Sequence, residues 1–477
     1  MVIYMNNLIS NIKNIFSNNP DLIIRKIKYK YQNIYVIYLE TISSSDKIND
    51  YILKNLNYFI GNNNLKKLNS ILPSPNIINI KEYKEIEFYL TNGFCLVINN
   101  KEILAIEVRA DINRSISTPD IEQSLFGPKD SFVENYQINL GLIKRRIKSS
   151  NLKTKEINIG KHTNTKVGII YMNNIANISN VNYIINKLSK INVDGIIDSS
   201  ELAQYLIENK TVFPTITSTE RPDKVSKSLL EGKIIVLVDT SCFALITPTF
   251  LADFINPTID NYIKNSSFSP LKILRTICFF ITIIFPGYYI SLINYNQESL
   301  PTSLLLKFSS QRIDVPFPSI VEAMIMLFIC EMLRESDLRF PSSYSSAVSI
   351  LGALILGEAA VTAGIVSPIM IIVIAFTFIT SLMFVEPEMI NAIRHFRFIF
   401  LLLASIYGMY GIIISLIYFF IHICSLKTLG MPYFYPIAPF NNYFFKKLFI
   451  KSDLHNDTKR SKLLSNKNVI KQRKDLL

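Results

Sequence analysis

Charged residues set inside apolar sequence are where this chain could do chemistry. Glu331, Arg334 and Glu335 fall at i, i+3 and i+4, so a helix would carry them on one face, where they neutralise each other. As a structural feature they make an ion-pair cluster at a membrane boundary; as a functional one they gate an ion path. Glu358 lies amid small residues, with Ala353/Gly357, Ala359/Ala363 and Ala360/Gly364 each four apart. That spacing lets helices pack closely in lipid. A carboxylate at mid-span costs about 2.5–3.5 kcal/mol on insertion scales, so Glu358 should face a partner or a water-filled path. The pore or gating candidates are therefore Glu358, Ala360, Ala363, Gly364, Glu331, Arg334 and Glu335. A second candidate set lies in polar sequence. Arg145 and Arg146, beside Lys144 and Lys148, close a helix whose dipole they complement, and could equally meet anionic lipid or a partner. Glu220 and Arg221 precede a helix opened by Pro222, and with Arg145 and Arg146 they are candidates for subunit or coupling contacts.

Other chemistry lacks its residues. The five cysteines, Cys95, Cys242, Cys278, Cys330 and Cys424, form no C-x-x-C pair and read as small core or membrane residues. The four histidines share no ligand spacing. There is no G-x-G-x-x-G, Walker lysine motif or nucleophile elbow. The expectation is a protein that is not an enzyme and uses neither cofactor nor metal. A net charge of +13 fits positive-inside topology and a Lys-, Asn- and Ile-rich composition. No motif points to nucleic acid.

The elements that would position these residues divide the chain in two. Residues 1–271 are polar and mixed, while 272–425 carry apolar runs such as Ile277–Pro286 and Ile369–Val385. The fold class expected is a cytoplasmic α/β (α+β) half of two subdomains followed by an all-α membrane domain. The first α+β subdomain covers 1–125, with a short helix near 6–16 and hairpins at 22–39 and 94–108. A linking amphipathic helix covers 126–150, opened by Gly127-Pro128 and striped by Phe132, Tyr136, Leu140, Ile143 and Ile147. The second α/β subdomain covers 151–271, with strands at 167–171, 195–197, 234–238 and 242–246 and helices at 181–188 and 222–231. Gly232 just past the last helix suits a C-cap.

In the apolar half, spans are expected at about 274–293, 347–366, 369–385 and 398–424. Ser319–Leu333 falls short of the roughly 20 residues a span needs and reads as a re-entrant helix. That choice leaves Lys307, Arg312, Arg334 and Arg339 on the far side. The basic tail, 426–477, should lie on the same side as the first half, and its stretch from Lys446 to Lys474 should be disordered. No cleavable signal peptide is apparent, which keeps the first half in the cytoplasm.

Read together, the short motifs resemble a family. They are Phe126-Gly127-Pro128-Lys129-Asp130-Ser131-Phe132, the run Lys144–Lys148, Phe213-Pro214, Thr219-Glu220-Arg221-Pro222-Asp223 and Leu229–Gly232. In the apolar half they are Pro316–Pro318, Glu331–Glu335, Arg339–Pro341, Gly357–Val361, Ala363–Pro368 and Gly430–Tyr433 through Pro436. In order and spacing the chain resembles, over nearly its whole length, the A subunit of the GerA-type spore germination receptors of Bacillus and Clostridium relatives. It departs in having Glu358 where many members have Gln, Asp130 where Glu is frequent, and Ser345-Ser346 where Gly is common. The resemblance implies a receptor in the spore inner membrane, assembled with a permease-like B subunit and a lipoprotein C subunit. It implies that the A subunits oligomerise, as pentamers, into a ligand-gated cation channel whose ion release begins germination. The other readings are a SpoVAF-like paralogue that amplifies ion or dipicolinic acid release, and a non-conducting membrane scaffold. A secondary transporter is disfavoured, because no repeat links the spans.

Overall fold

Leu22–Tyr29 (β1) and Gln32–Leu39 (β2) are rich in β-branched and aromatic residues and pair antiparallel with Leu22 opposite Leu39; successive side chains of β2 point to opposite faces, and both faces are buried. The computed structural model describes most of the chain. Residues 57–71, 340–356, 451–456 and 473–477, most of 111–126 and 258–268, and isolated positions elsewhere fall outside the description. With β3 (Ile77–Asn79), β4 (Phe94–Ile98) and β5 (Ile103–Glu107), the first hairpin forms an antiparallel sheet ordered β1-β2-β4-β5-β3. Helix α1 (Val2–Ile15) and α2 (Glu85–Thr91) cover one face, burying Ile12, Ile86 and Leu90 against Ile37 and Leu96. Ile48, Ile52 and Leu56 cover the other, against Val36 and Val97.

The linking helix, α3 (Tyr136–Arg146), is shorter than the stripe suggested. Asn135 caps it, accepting from the amides of Gln137 and Ile138. Upstream, the Phe132 amide donates to Glu220 O (2.8 Å) and the Val133 amide to Asn139 Oδ1 (2.8 Å), which holds 127–135 outside the helix. Phe132 is still buried in the same core. Lys144 of α3 is buried and pairs with Asp21 of the first subdomain, whose carboxylate also takes the Thr41 hydroxyl. Burial lowers the Lys144 pKa, and Asp21 opposes that shift.

The second sheet, β6 (Leu152–Ile159), β7 (Thr165–Met172), β8 (Thr217–Thr219), β9 (Ile234–Val238) and β10 (Ala244–Thr247), runs β6-β7-β9-β10-β8 and is antiparallel at every pairing. Strand β6 and helix α5 (Ser199–Leu206) escape the sequence reading; in β6, Lys153, Lys155 and Glu156 mask the burial pattern. The strand expected at Gly195–Ile197 is a connecting loop held by Thr165 Oγ1, which donates to Ile196 O (2.6 Å). One face is covered by α3 and α6 (Pro222–Glu231), the other by α4 (Ile178–Ser189) and α5. Gly232 ends α6 at φ +98°, the left-handed conformation glycine adopts without strain.

The apolar half is helical: α7 (Ser269–Asn294), α8 (Thr302–Arg312), α9 (Ser319–Arg339), α10 (Pro368–Ser381), α11 (Pro387–Tyr407) and α12 (Met409–Ser425). Among the described residues, α7 from Pro270 and the whole of α11 are long and apolar enough to cross a membrane; α10 and α12 are apolar but shorter. Two expectations need correction. The span placed at 398–424 is a helical hairpin. Gly408, at φ +59°, reverses the chain, and Phe396 and Phe400 of α11 pack on Phe419 of α12. A Cβ at Gly411 would overlap the Leu403 carbonyl, so the hairpin closes only around a glycine. The helix placed at 319–333 continues to Arg339, making 21 residues, or about 31 Å, with Arg334 paired one turn back to Glu331.

The helices can be oriented by their ends. The first turns of α7 meet the second subdomain, with Arg275 Nη1 2.9 Å from Asp260. Its other end meets the α11–α12 turn, where Tyr295 donates to Ser405 O at 2.8 Å. Helix α9 starts at that far end, Ser319 donating to Asn294, and runs back, so that Arg334 reaches Ser381 near the subdomain end. Arg334 therefore lies at the subdomain end of the bundle and Arg312 at the other end.

The expected disordered tail is folded where described. Strands β11 (Lys427–Thr428) and β12 (Met431–Pro432) and helix α13 (Asn442–Phe449) lead to a segment lying on α6, where Arg460 Nε donates to Leu230 O (2.7 Å). Its charges find partners, which a composition-based reading cannot see: Lys447 and Lys471 both hold Asp457, at 2.8 and 2.6 Å. Burial works against ionising Asp457, but those lysines outweigh it and hold the carboxyl below its ordinary 3.8. A depressed carboxyl pKa stabilises above the unfolded value and is lost below it. The tail should stay docked above pH about 4 and loosen as the pH falls further, read as the onset of cleavage by an acid-active protease.

Candidate functional site

The residues best placed to act lie where the second subdomain meets the apolar helices. Phe213, in the loop before β8, is 1 % exposed although it belongs to the polar half of the sequence. Its ring enters the open end of the α11–α12 hairpin, with centroids 5.3 Å from Phe396, 6.1 Å from Phe419 and 6.1 Å from Tyr433. Pairs at these separations add about 0.5–1.5 kcal/mol beyond area burial. Phe213→Ala should cost about 3–5 kcal/mol, the range for a large buried aromatic, read as a lower thermal midpoint of the full chain.

Beside the ring is an ionic bridge. Lys224 of α6 holds Glu122 at 2.6 Å and Glu386 at 2.8 Å; Glu386 is the N-cap of α11. A loop before α3, a helix of the second subdomain and the start of an apolar helix thus meet on one ammonium. Burial alone would lower the Lys224 pKa, but Glu386 and Glu122 outweigh it and raise it above its ordinary 10.5. Arg221 is 1 % exposed and holds Asp223 through two hydrogen bonds, of 3.0 and 2.8 Å. Glu220 Oε1 accepts from the Glu122 amide at 2.8 Å. Glu220 and Arg221, singled out from sequence, are therefore packing members of this junction. Arg146 pairs with Asp130 one turn outside it.

A second cluster lies at the subdomain end of the apolar bundle. Glu331 Oε1 accepts from Arg397 Nη2 at 2.7 Å, and its Oε2 lies 2.6 Å from Arg394 and 3.6 Å from Arg334. Arg397 is 2 % exposed, and Arg334 also stacks over Phe378 at 4.9 Å. Sequence spacing found Glu331 and Arg334. It missed Arg394 and Arg397, which share a helix turn but stand sixty-odd residues away. A third cluster closes the far end. Glu322, fully buried, accepts from the amide and hydroxyl of Ser367 at 3.0 and 2.8 Å and faces Arg312 at 3.4 Å.

The small-residue segment is described from Gly357. Residues 347–356 of the span expected there lie outside the described residues. Glu358 and Ala363 are exposed and Ala360 is half-buried against the bundle. Gly364 sits at φ +65° near Asp314 O, at the far end, so its backbone conformation alone accounts for a glycine there. These residues are not brought to Glu331, Arg334 and Glu335, which belong to the opposite end. Among the described residues no group of three His, Cys, Asp or Glu side chains could hold a metal.

Comparison with known proteins bears on what such an arrangement serves. A family model described as Bacillus/Clostridium GerA spore germination protein matches residues 10–463. The chain belongs to the GerA family of spore germination proteins. It is similar to spore germination protein KA of Bacillus subtilis, 35 % identical over 98 % of this chain and 88 % of that one. It is similar to GerQA of Bacillus cereus, 30 % identical over 90 % and 87 %. A crystal structure of the N-terminal domain of the A subunit of the Bacillus megaterium spore germinant receptor GerK3 is 30 % identical, with a TM-score of 0.40, and covers 51 % of this chain and 94 % of that one. For this GerA family member, the motifs Phe213-Pro214 and Thr219–Asp223 are the junction itself. Glu331–Glu335 supplies the carboxylate of the arginine cluster.

Proposed function

We propose that the chain is the A subunit of a nutrient receptor in the spore inner membrane, and that several copies assemble into a germinant-gated cation channel. In this reading it works with a permease-like B subunit and a lipoprotein C subunit, and its soluble half and tail face the spore core. The relatives' names, spore germination proteins, support the receptor role. The observation that carries the channel reading is Glu358. It is exposed on an apolar, small-residue segment and has no ion pair with a described residue. In lipid that carboxylate is costly; against other copies around an aqueous path it is hydrated and attracts cations. The small side chains beside it, Ala360 and Ala363, let such copies approach closely. Glu331, Arg334 and Glu335 then stand at the inner mouth, next to the junction that ties the soluble half to α11.

Because Gly364 has a backbone role, a bulky residue at Ala363 is the cleaner test. Ala363→Phe should abolish germinant-triggered potassium release while the protein accumulates at its normal level. Release at the normal rate would remove this face from the conducting path.

A further inference from the structure

Between α6, the first turn of α7, α13 and the returning tail lies a cavity of about 210 Å³, apart from both the junction aromatics and Glu358. One water needs only about 10–15 Å³ by the same measure, so a small solute fits. Among the lining residues cations outnumber carboxylates two to one. Half of those cations are already paired. Lys224 holds Glu122 and Glu386, Lys233 holds Asp253, and Lys447 and Lys471 share Asp457. Asp260 is taken by Arg275.

What remains is positive. Lys272 is only 8 % exposed, and among the described residues its ammonium donates only to the Lys447 carbonyl, at 3.4 Å. Lys227 forms no ion pair with a described residue. Arg460 donates to the carbonyls of Leu230, Asn468 and Ile470 and to the Asn468 side chain, with no carboxylate among these acceptors. The one lining carboxylate without a paired cation is Glu231, one turn after Lys227. Burial lowers the Lys227 pKa, and Lys447 and Lys471 add to that shift against Glu231. Positive charge gathered in a buried space without matching negative charge is unfavourable unless a counter-ion completes it.

We infer that this cavity binds a phosphate group, held by Lys227, Lys272 and Arg460. Donors arriving from α6, α7 and the tail surround a tetrahedral oxyanion better than a planar carboxylate, and lysine and arginine are the usual phosphate partners. Lys272 lies in the first turn of an apolar helix, where lipid headgroups would stand, so the phosphate has two sources: an anionic headgroup or a free phosphate. Bound there, it ties the tail to both α6 and α7.

The test uses the full chain in nanodiscs, with the thermal midpoint read by circular dichroism. One arm adds inorganic phosphate at constant ionic strength to phosphatidylcholine discs. The other replaces a fifth of the lipid with phosphatidylglycerol and adds no phosphate. The wild-type midpoint should rise by several degrees in at least one arm. The rise should fall at least threefold in Lys227→Gln and in Lys272→Gln, and persist in the exposed control Lys190→Gln. Without any anion, both cavity variants should melt no lower than wild type, since each removes an uncompensated charge. A rise with phosphate assigns a free anion, and a rise only with phosphatidylglycerol assigns a headgroup. No rise in either arm, or an equal rise in the variants, overturns the inference.

Discussion

Glu331→Gln destabilises the apolar half by about 3–5 kcal/mol, the loss expected when one partner of a buried charge cluster is removed. Glu331 is the shared carboxylate of Arg334, Arg394 and Arg397, whose side chains are 13 %, 32 % and 3 % exposed. Glutamine keeps the shape and removes the charge, so three guanidiniums repel without compensation. Arg397 suffers most, since water barely reaches it. The companion experiment is Glu331→Leu with Arg397→Leu. Losing both members of the most buried pair should cost less than losing the carboxylate alone, because the most buried guanidinium is no longer stranded. Thermal midpoints of the purified full chain measure both. A loss below about 1 kcal/mol in Glu331→Gln would mean that the cluster is hydrated and contributes as a surface pair does.

Lys224→Met has the second large effect, about 3–5 kcal/mol by the same physics, and it should act on signalling as well as stability. Glu122 and Glu386, 10 % and 21 % exposed, would be left facing each other across a methyl group. Repulsion would push the start of α11 from the second subdomain, leaving Phe213 and the Arg275–Asp260 pair to keep the two halves in register. The protein should still accumulate when Phe213 is intact, yet spores carrying it should respond to germinant at least tenfold more slowly. Lys224→Arg should recover most of the response. The pH dependence has a definite sign. A lysine whose folded pKa is raised contributes fully below its unfolded value of 10.5 and is lost as pH rises through the folded value. The bridge is therefore complete at neutral pH and opens only in strong alkali. A normal germinant response from Lys224→Met spores would show that the bridge carries no signal.

The soluble half was legible where one element carries its own signal. The β1–β2 hairpin, α6 with Pro222 at its start and Gly232 after it, and β9 announce themselves by alternation and caps. The apolar half was legible as apolar, but its connectivity was not. Residues 398–424 average out as one hydrophobic run, and the reversal rests on the backbone of Gly408, which hydropathy does not register. Glu331 and Arg334 stood out because three residues separate them. Arg394 and Arg397 did not, because only the antiparallel return of α9 against α11 brings them near. The bridge has the same character: Glu122, Lys224 and Glu386 sit in three distant segments, each unremarkable alone. Phe213-Pro214 belongs to the family resemblance, and nothing local in the sequence foretells that its ring leaves the polar half to fill the helical hairpin.

The proposed conducting role rests on Glu358 and its small neighbours facing an aqueous path between copies, and one measurement meets it directly. The chain, with the proposed permease-like and lipoprotein partners, is placed in potassium-loaded liposomes, and efflux is followed on adding a panel of amino acids. The account predicts germinant-dependent efflux that falls at least tenfold with Ala363→Phe while assembly is unchanged. Efflux indifferent to Ala363→Phe, or none from a fully assembled complex that still binds its germinant, would contradict it.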